Sequence, residues 1–115
     1  MAEEPRFLLR LYFGAGRQFG PGKARLLALI EAEGSISAAG RGMGMSYKRA
    51  WSLVEQMNAD FAEPLVDSTR GGPRGGGARL TGTGREILAA YGRLEAQVRS
   101  AGGAEIAAIE ARLKP

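Results

Sequence analysis

GSISAAGRGMGMSYKRAW, residues 34–51, starts two helices in quick succession. Ser35 or Ser37 can cap the first, because a serine there accepts from a backbone N–H that the helix leaves unpaired. This helix spans about residues 36–43, with Ile36, Ala39 and Met43 facing inward. Gly40 and Gly42 soften it, each by about 1 kcal/mol against alanine. Gly44 breaks it, and Ser46 caps a second helix that runs to about Ala62, ahead of Pro64. Lys48 and Arg49 fall in its first turn, beside the positive end of the helix dipole. A cation is slightly unfavourable there unless an anion docks against it.

Upstream, RFLLRLYF alternates, with Phe7, Leu9, Leu11 and Phe13 on one side, and reads as a half-buried strand. GAG at residues 14–16 makes a turn, and Arg17–Phe19 is a short return strand. Pro21 suits a first helical position. Leu26, Leu27 and Ile30 form the apolar face of the helix it opens, with Lys23, Arg25, Glu31 and Glu33 elsewhere on the wheel. Gly34 fits just past its end.

Downstream, Leu65-Val66 and Ala78–Thr81 read as short strands around a loop, residues 71–77, with five glycines and a proline. Thr81 or Thr83 starts a last helix. Ile87, Tyr91, Leu94, Val98 and Ala101 then repeat at heptad spacing and form a seam suited to pairing with another helix. After Gly102-Gly103, Ile106, Ile109 and Leu113 resume a stripe in a shifted phase.

Strand hairpin, three helices, second hairpin and long helix make a mainly α fold with a small β component. The order is that of a winged helix-turn-helix with an N-terminal strand/hairpin and a long C-terminal dimerisation helix. The whole chain, 1–115, reads as one domain, with a nucleic-acid-binding core over 5–80 and a helical dimerisation region over 81–115. On a wheel of residues 47–61, Ala50, Leu53, Val54, Met57 and Phe61 turn inward. Lys48, Arg49 and Ser52 turn outward, Trp51 flanks that face, and Tyr47 lies nearer the core. In this layout the head of the second helix enters the DNA major groove, where Arg and Lys bond guanine and Ser reaches a base or phosphate. Ser35, Ser37, Ser46, Tyr47, Lys48, Arg49 and Ser52 are therefore the candidate contacts, joined by the wing arginines Arg70, Arg74 and Arg79.

Composition narrows the alternatives. Neither cysteine nor histidine is present, which excludes disulfides, zinc sites of thiolate or imidazole, and histidine triads. Sixteen basic residues face twelve acidic ones, and the surplus sits in residues 35–85, with seven basic and four acidic. Such a patch favours an anionic partner. No apolar run is long enough for a membrane span, and a cytoplasmic protein is expected. No enzyme is expected either: Glu31 and Glu33 read as surface charge, and no polar cluster converges. GPGKAR and RGGPRGGG lack the GK[ST] of a Walker loop.

GPGKARLLALIEAEGSISAAGRGMGMSYKRAWSLVEQMN, followed by PLV, a glycine-rich wing and ARLTGTGREIL, resembles the N-terminal DNA-binding domain of ModE molybdate-responsive regulators. That domain is related to the helix-turn-helix of LysR-type regulators. The resemblance covers about residues 5–95. It implies a bacterial winged-helix homodimer on palindromic double-stranded operator DNA, with SYKRAW opening the recognition helix and the terminal helix pairing the subunits. By matching position, Ser46, Tyr47, Lys48 and Arg49 are its DNA contacts. Full-length ModE proteins carry further C-terminal molybdate-binding domains. This chain departs from that pattern by ending at Pro115, so a stand-alone module with no cofactor of its own is expected, and a separate oxyanion-binding partner protein could supply molybdate or tungstate sensing. Two other readings stay open: an RNA or single-strand binder using Trp51 and the RGG-like loop, and a helix-pairing module without a DNA role.

Overall fold

Pro21 opens α1 (Pro21–Glu33), and Gly34 closes it at φ 69°, its N–H donating to Ile30 O at 2.8 Å. A left-handed residue at this position favours glycine. The computed structural model describes residues 5–68 and 77–115. Around α1 stand β1 (Leu11–Gly14) and β2 (Arg17–Phe19), paired antiparallel, then α2 (Ile36–Gly42) and α3 (Tyr47–Asp60). A second antiparallel pair follows, β3 (Val66–Ser68) and β4 (Ala78–Leu80), then α4 (Gly82–Ala101) and α5 (Gly103–Glu110). Leu26, Leu27 and Ile30 of α1 are fully buried with Ile36 and Ala39 of α2 and with Ala50, Val54 and Met57 of α3. Leu65, Val66 and Leu80 close this core from the wing side.

Gly40 is no soft spot. A Cβ built on it would stand 2.9 Å from the Cβ of Ala50, so the missing side chain is what lets α2 close on α3. Its carbonyl accepts from Met45 N–H at 3.0 Å, and Gly44 adopts φ 69° in the turn between the helices. Lys23 also departs from expectation. It is buried, and its ammonium donates to Gln18 O at 2.9 Å, pinning the first hairpin to α1.

The first strand is shorter than its alternation predicts. The ladder runs only from Leu11↔Phe19 to Gly14↔Arg17, because β2 offers three residues to pair with. Residues 7–10 instead run along α4. Leu9 O accepts from the Tyr91 hydroxyl, and the Arg99 guanidinium sits 5.1 Å from the Phe7 ring. The alternation is kept as far as Tyr12, with Phe7, Leu9 and Leu11 half-buried and Leu8 and Tyr12 exposed, and it fails at Phe13, expected on the inward side but exposed where the ladder register shifts before Gly14.

Tyr91 is buried and meets Phe19 edge-on at 5.2 Å. It therefore belongs to the chain's own core, and the heptad seam does not face outward as a whole. Burial, followed by the Glu95 carboxylate, pushes its phenol above the usual value, and Arg10 draws it partly back. The fold thus favours the neutral phenol. That contribution is complete below about pH 10 and is lost as pH rises through the folded-state pKa. Tyr91→Phe is expected to flatten the alkaline limb of a stability-against-pH curve followed by chemical denaturation.

Asn58 holds the second hairpin. Its Oδ1 accepts from Leu65 N–H at 2.8 Å and from Val66 N–H at 3.1 Å, and its Nδ2 donates to Val66 O at 3.1 Å. Asn58→Ala leaves two buried donors unmet and should cost about 2–3 kcal/mol by denaturant titration. The wing is tied to the helices at a second point, where Ala78 N–H donates to Gly34 O at 2.9 Å.

Thr81 caps α4, accepting from Gly84 N–H at 2.9 Å and donating to Pro64 O at 2.7 Å. At the far end the chain passes through Gly102 directly into α5, with Gly102 N–H on Val98 O and Ile106 N–H on Gly102 O. No residue of α5 is buried. The described body measures 57 × 32 × 22 Å, with a radius of gyration of 17.0 Å. A compact chain of this length would have about 13 Å. No helix among the described residues is long and apolar enough to cross a membrane.

Candidate nucleic-acid interface

Residues 34–54 contain Arg41, Lys48 and Arg49 and no acid. The fold places all three on the surface. Ser46 caps α3 through Arg49 N–H at 3.1 Å, which fixes where the helix begins. Tyr47, Lys48, Arg49 and Ser52 then form one exposed face, while Ala50, Val54 and Met57 anchor the opposite face in the core. The head of the helix is thus cationic, accessible and rigidly seated.

The two aromatics exchange the places expected from the wheel. Tyr47 is 61% exposed, whereas Trp51 packs against the core. Their rings meet edge-on at 6.1 Å, so Trp51 supports Tyr47 from behind. A wheel assigns directions but not depth: Tyr47 is exposed at the head of α3, whereas Trp51, one turn on, is half-buried against the core.

Ser35 caps α2 through Ala38 N–H at 3.1 Å, and both Ser35 and Ser37 are half-buried. Arg79 is exposed on β4 beside Asp67 of β3, N···O 3.8 Å. The register Asp67↔Arg79 explains the pair, which the spacing in sequence conceals. Gly34, Asp67, Gly77, Ala78 and Arg79 line a groove of about 290 Å³ between the wing and the entrance of α2. Arg70 and Arg74 lie outside the described residues. Arg41 was not among the expected contacts, yet it stands exposed at the end of α2 beside the turn. The acid-free stretch around it was the available signal. Of the seam, Ile87 and Leu94 are half-buried, Val98 and Ala101 are exposed, and Tyr91 is taken by the core.

No family model matches the chain. Among known proteins, it is 49% identical over 83 residues to the molybdenum-pterin-binding protein MopB of Rhodobacter capsulatus, across 72% of this chain and 31% of that protein. It is 43% identical over 98 residues to the molybdenum transport protein ModE of Azotobacter vinelandii, across 84% of this chain and 36% of that one. The chain is a homologue of the ModE N-terminal region. To the DNA-binding transcriptional dual regulator ModE of Escherichia coli it is 39% identical over 71 residues, across 62% and 27% of the two chains. The chain spans about a third of the length of these ModE and Mop relatives. Its fold is similar to that in the crystal structure of a CbnR_DBD–DNA complex, with TM-score 0.57 and 23% identity over 76% of this chain and 95% of that one. The ModE-type region is therefore a winged helix, mainly α with two small hairpins.

Proposed function

We propose that this ModE-type region is the DNA-reading part of a transcription regulator that binds palindromic double-stranded operator DNA as a homodimer. The observation that carries the reading is the exposed face of Tyr47, Lys48, Arg49 and Ser52 at the head of a helix whose other face is locked in the core. An exposed Lys-Arg pair at the positive end of a helix is stabilised once phosphates or guanine edges meet it. Arg41 and Arg79 add backbone contacts on either side. The names of the relatives and the DNA-bound structural neighbour point the same way. The reading asks for no cofactor from these residues and places the protein where its DNA is, in the cytoplasm.

Selection of bound duplexes from random sequence, followed by gel-shift titration, tests it. One palindromic motif should emerge, with an affinity that falls steeply as salt rises. Single strands of the same sequence should compete poorly. The single-strand reading leaned on Trp51, which packs against the core and leaves it Tyr47 as a stacking platform.

A further inference from the structure

Every large apolar or aromatic side chain of α1, α2, α3 and the turn before α3 is buried or half-buried, with one exception. Tyr47, the first residue of α3, is 61% exposed. Its ring is nevertheless braced. It meets the Trp51 ring edge-on at 6.1 Å, and Trp51, one turn on, packs against the core. A tyrosine held in this way offers a broad apolar surface and has little side-chain freedom left to lose on binding. The charges beside it are cationic. Lys48 and Arg49 follow it directly, and the first acid of α3, Glu55, comes about 12 Å further along the axis.

Resting on the operator reading, we propose that Tyr47 selects thymine, its ring packing on the C5-methyl group in the major groove, with Trp51 as the positioning residue behind it. The chemistry of the groove points to that base. Donors and acceptors line the edges of all four bases, and the thymine methyl is the apolar group among them. Lys48, Arg49 and Ser52 serve the polar edges, and Tyr47 supplies the apolar contact that they lack. At about 100° per residue, Tyr47 and Arg49 lie on opposite flanks of the outer face, with Lys48 and Ser52 between them. The two therefore read different base pairs, and Tyr47 sets an operator position that Arg49 does not.

Deoxyuridine tests this directly, because its base differs from thymine by the methyl group alone. In the duplex selected for the full chain, each thymine is replaced in turn by deoxyuridine, and binding is followed by gel-shift titration. One thymine in each half-site should emerge at which replacement weakens the parent chain about fourfold, the worth of one buried methyl group. Tyr47→Ala should bind the thymine and deoxyuridine duplexes alike at that position. Tyr47→Phe and Arg49→Ala should keep the discrimination. Trp51→Leu should lose most of it, and that ratio is one that a loss of stability alone would not move. A Trp51→Leu chain that keeps the full ratio would overturn the role given to Trp51. A deoxyuridine effect at no thymine, one that Tyr47→Ala leaves unchanged, or a Tyr47→Phe chain that loses as much as Tyr47→Ala would overturn thymine selection and leave the operator reading intact. Selection that yields no motif at all would overturn both.

Discussion

Gly84→Ala is expected to cost about 3 kcal/mol or more, a fall in midpoint of well over 10 °C for a domain of this size. A Cβ built on Gly84 would stand 2.1 Å from the carbonyl oxygen of Leu65 and 3.0 Å from its carbonyl carbon. These are backbone atoms, so no rotamer change relieves the clash. Leu65 is fully buried and held through Asn58, and its carbonyl accepts from Thr81 N–H at 2.9 Å. To admit one methyl group, either α4 must lift off the wing or the β3–β4 pair must give up its seat. Gly92→Ala is the control of opposite sign. Nothing lies within 4 Å of its added Cβ, and alanine in mid-helix should stabilise by about 0.5–1 kcal/mol. Thermal unfolding of the two variants beside the parent checks both.

The second large effect falls on binding. Lys48→Ala with Arg49→Ala should lower affinity for the selected operator by about two to three orders of magnitude at fixed salt, given about 1–3 kcal/mol for each specific contact. The midpoint of unfolding should hardly move, since both side chains are exposed and make no contact that builds the core. The cap should survive as well, because Ser46 accepts from the backbone N–H of Arg49 and not from its side chain. Arg49→Ala alone should relax one operator position. Arg79→Ala, on the wing, should weaken all duplexes alike and reduce the salt slope. Titration of each variant against the operator and against unrelated duplex separates these patterns.

Much of this arrangement is legible in the sequence because it is local. Pro21 and Gly34 bracket α1, Ser35, Ser46 and Thr81 cap their helices, and the inward face of α3 follows from its period. What is not legible depends on contacts between distant elements. Gly40 reads as a propensity penalty until Ala50 is seen against it, and Gly84 reads as an ordinary helix residue until Leu65 O appears beside it. Lys23 reads as surface because nothing local predicts that Gln18 O lies above it. Tyr91 fits a heptad seam by spacing, but the N-terminal segment that folds back over α4 claims it first. The site shows the same division. The cations at the head of α3 are evident from their position after Ser46, whereas the depth of Tyr47 and Trp51 depends on which of them the core reaches.

The most direct test of the central claim is a hydroxyl-radical footprint of the full chain on its selected duplex, run beside the Lys48→Ala/Arg49→Ala variant. Two protected segments related by a dyad, centred about 34 Å or a multiple of that apart, are expected with the parent chain and should disappear with the variant. Uniform protection of every duplex, or a footprint that the variant leaves unchanged, would contradict it.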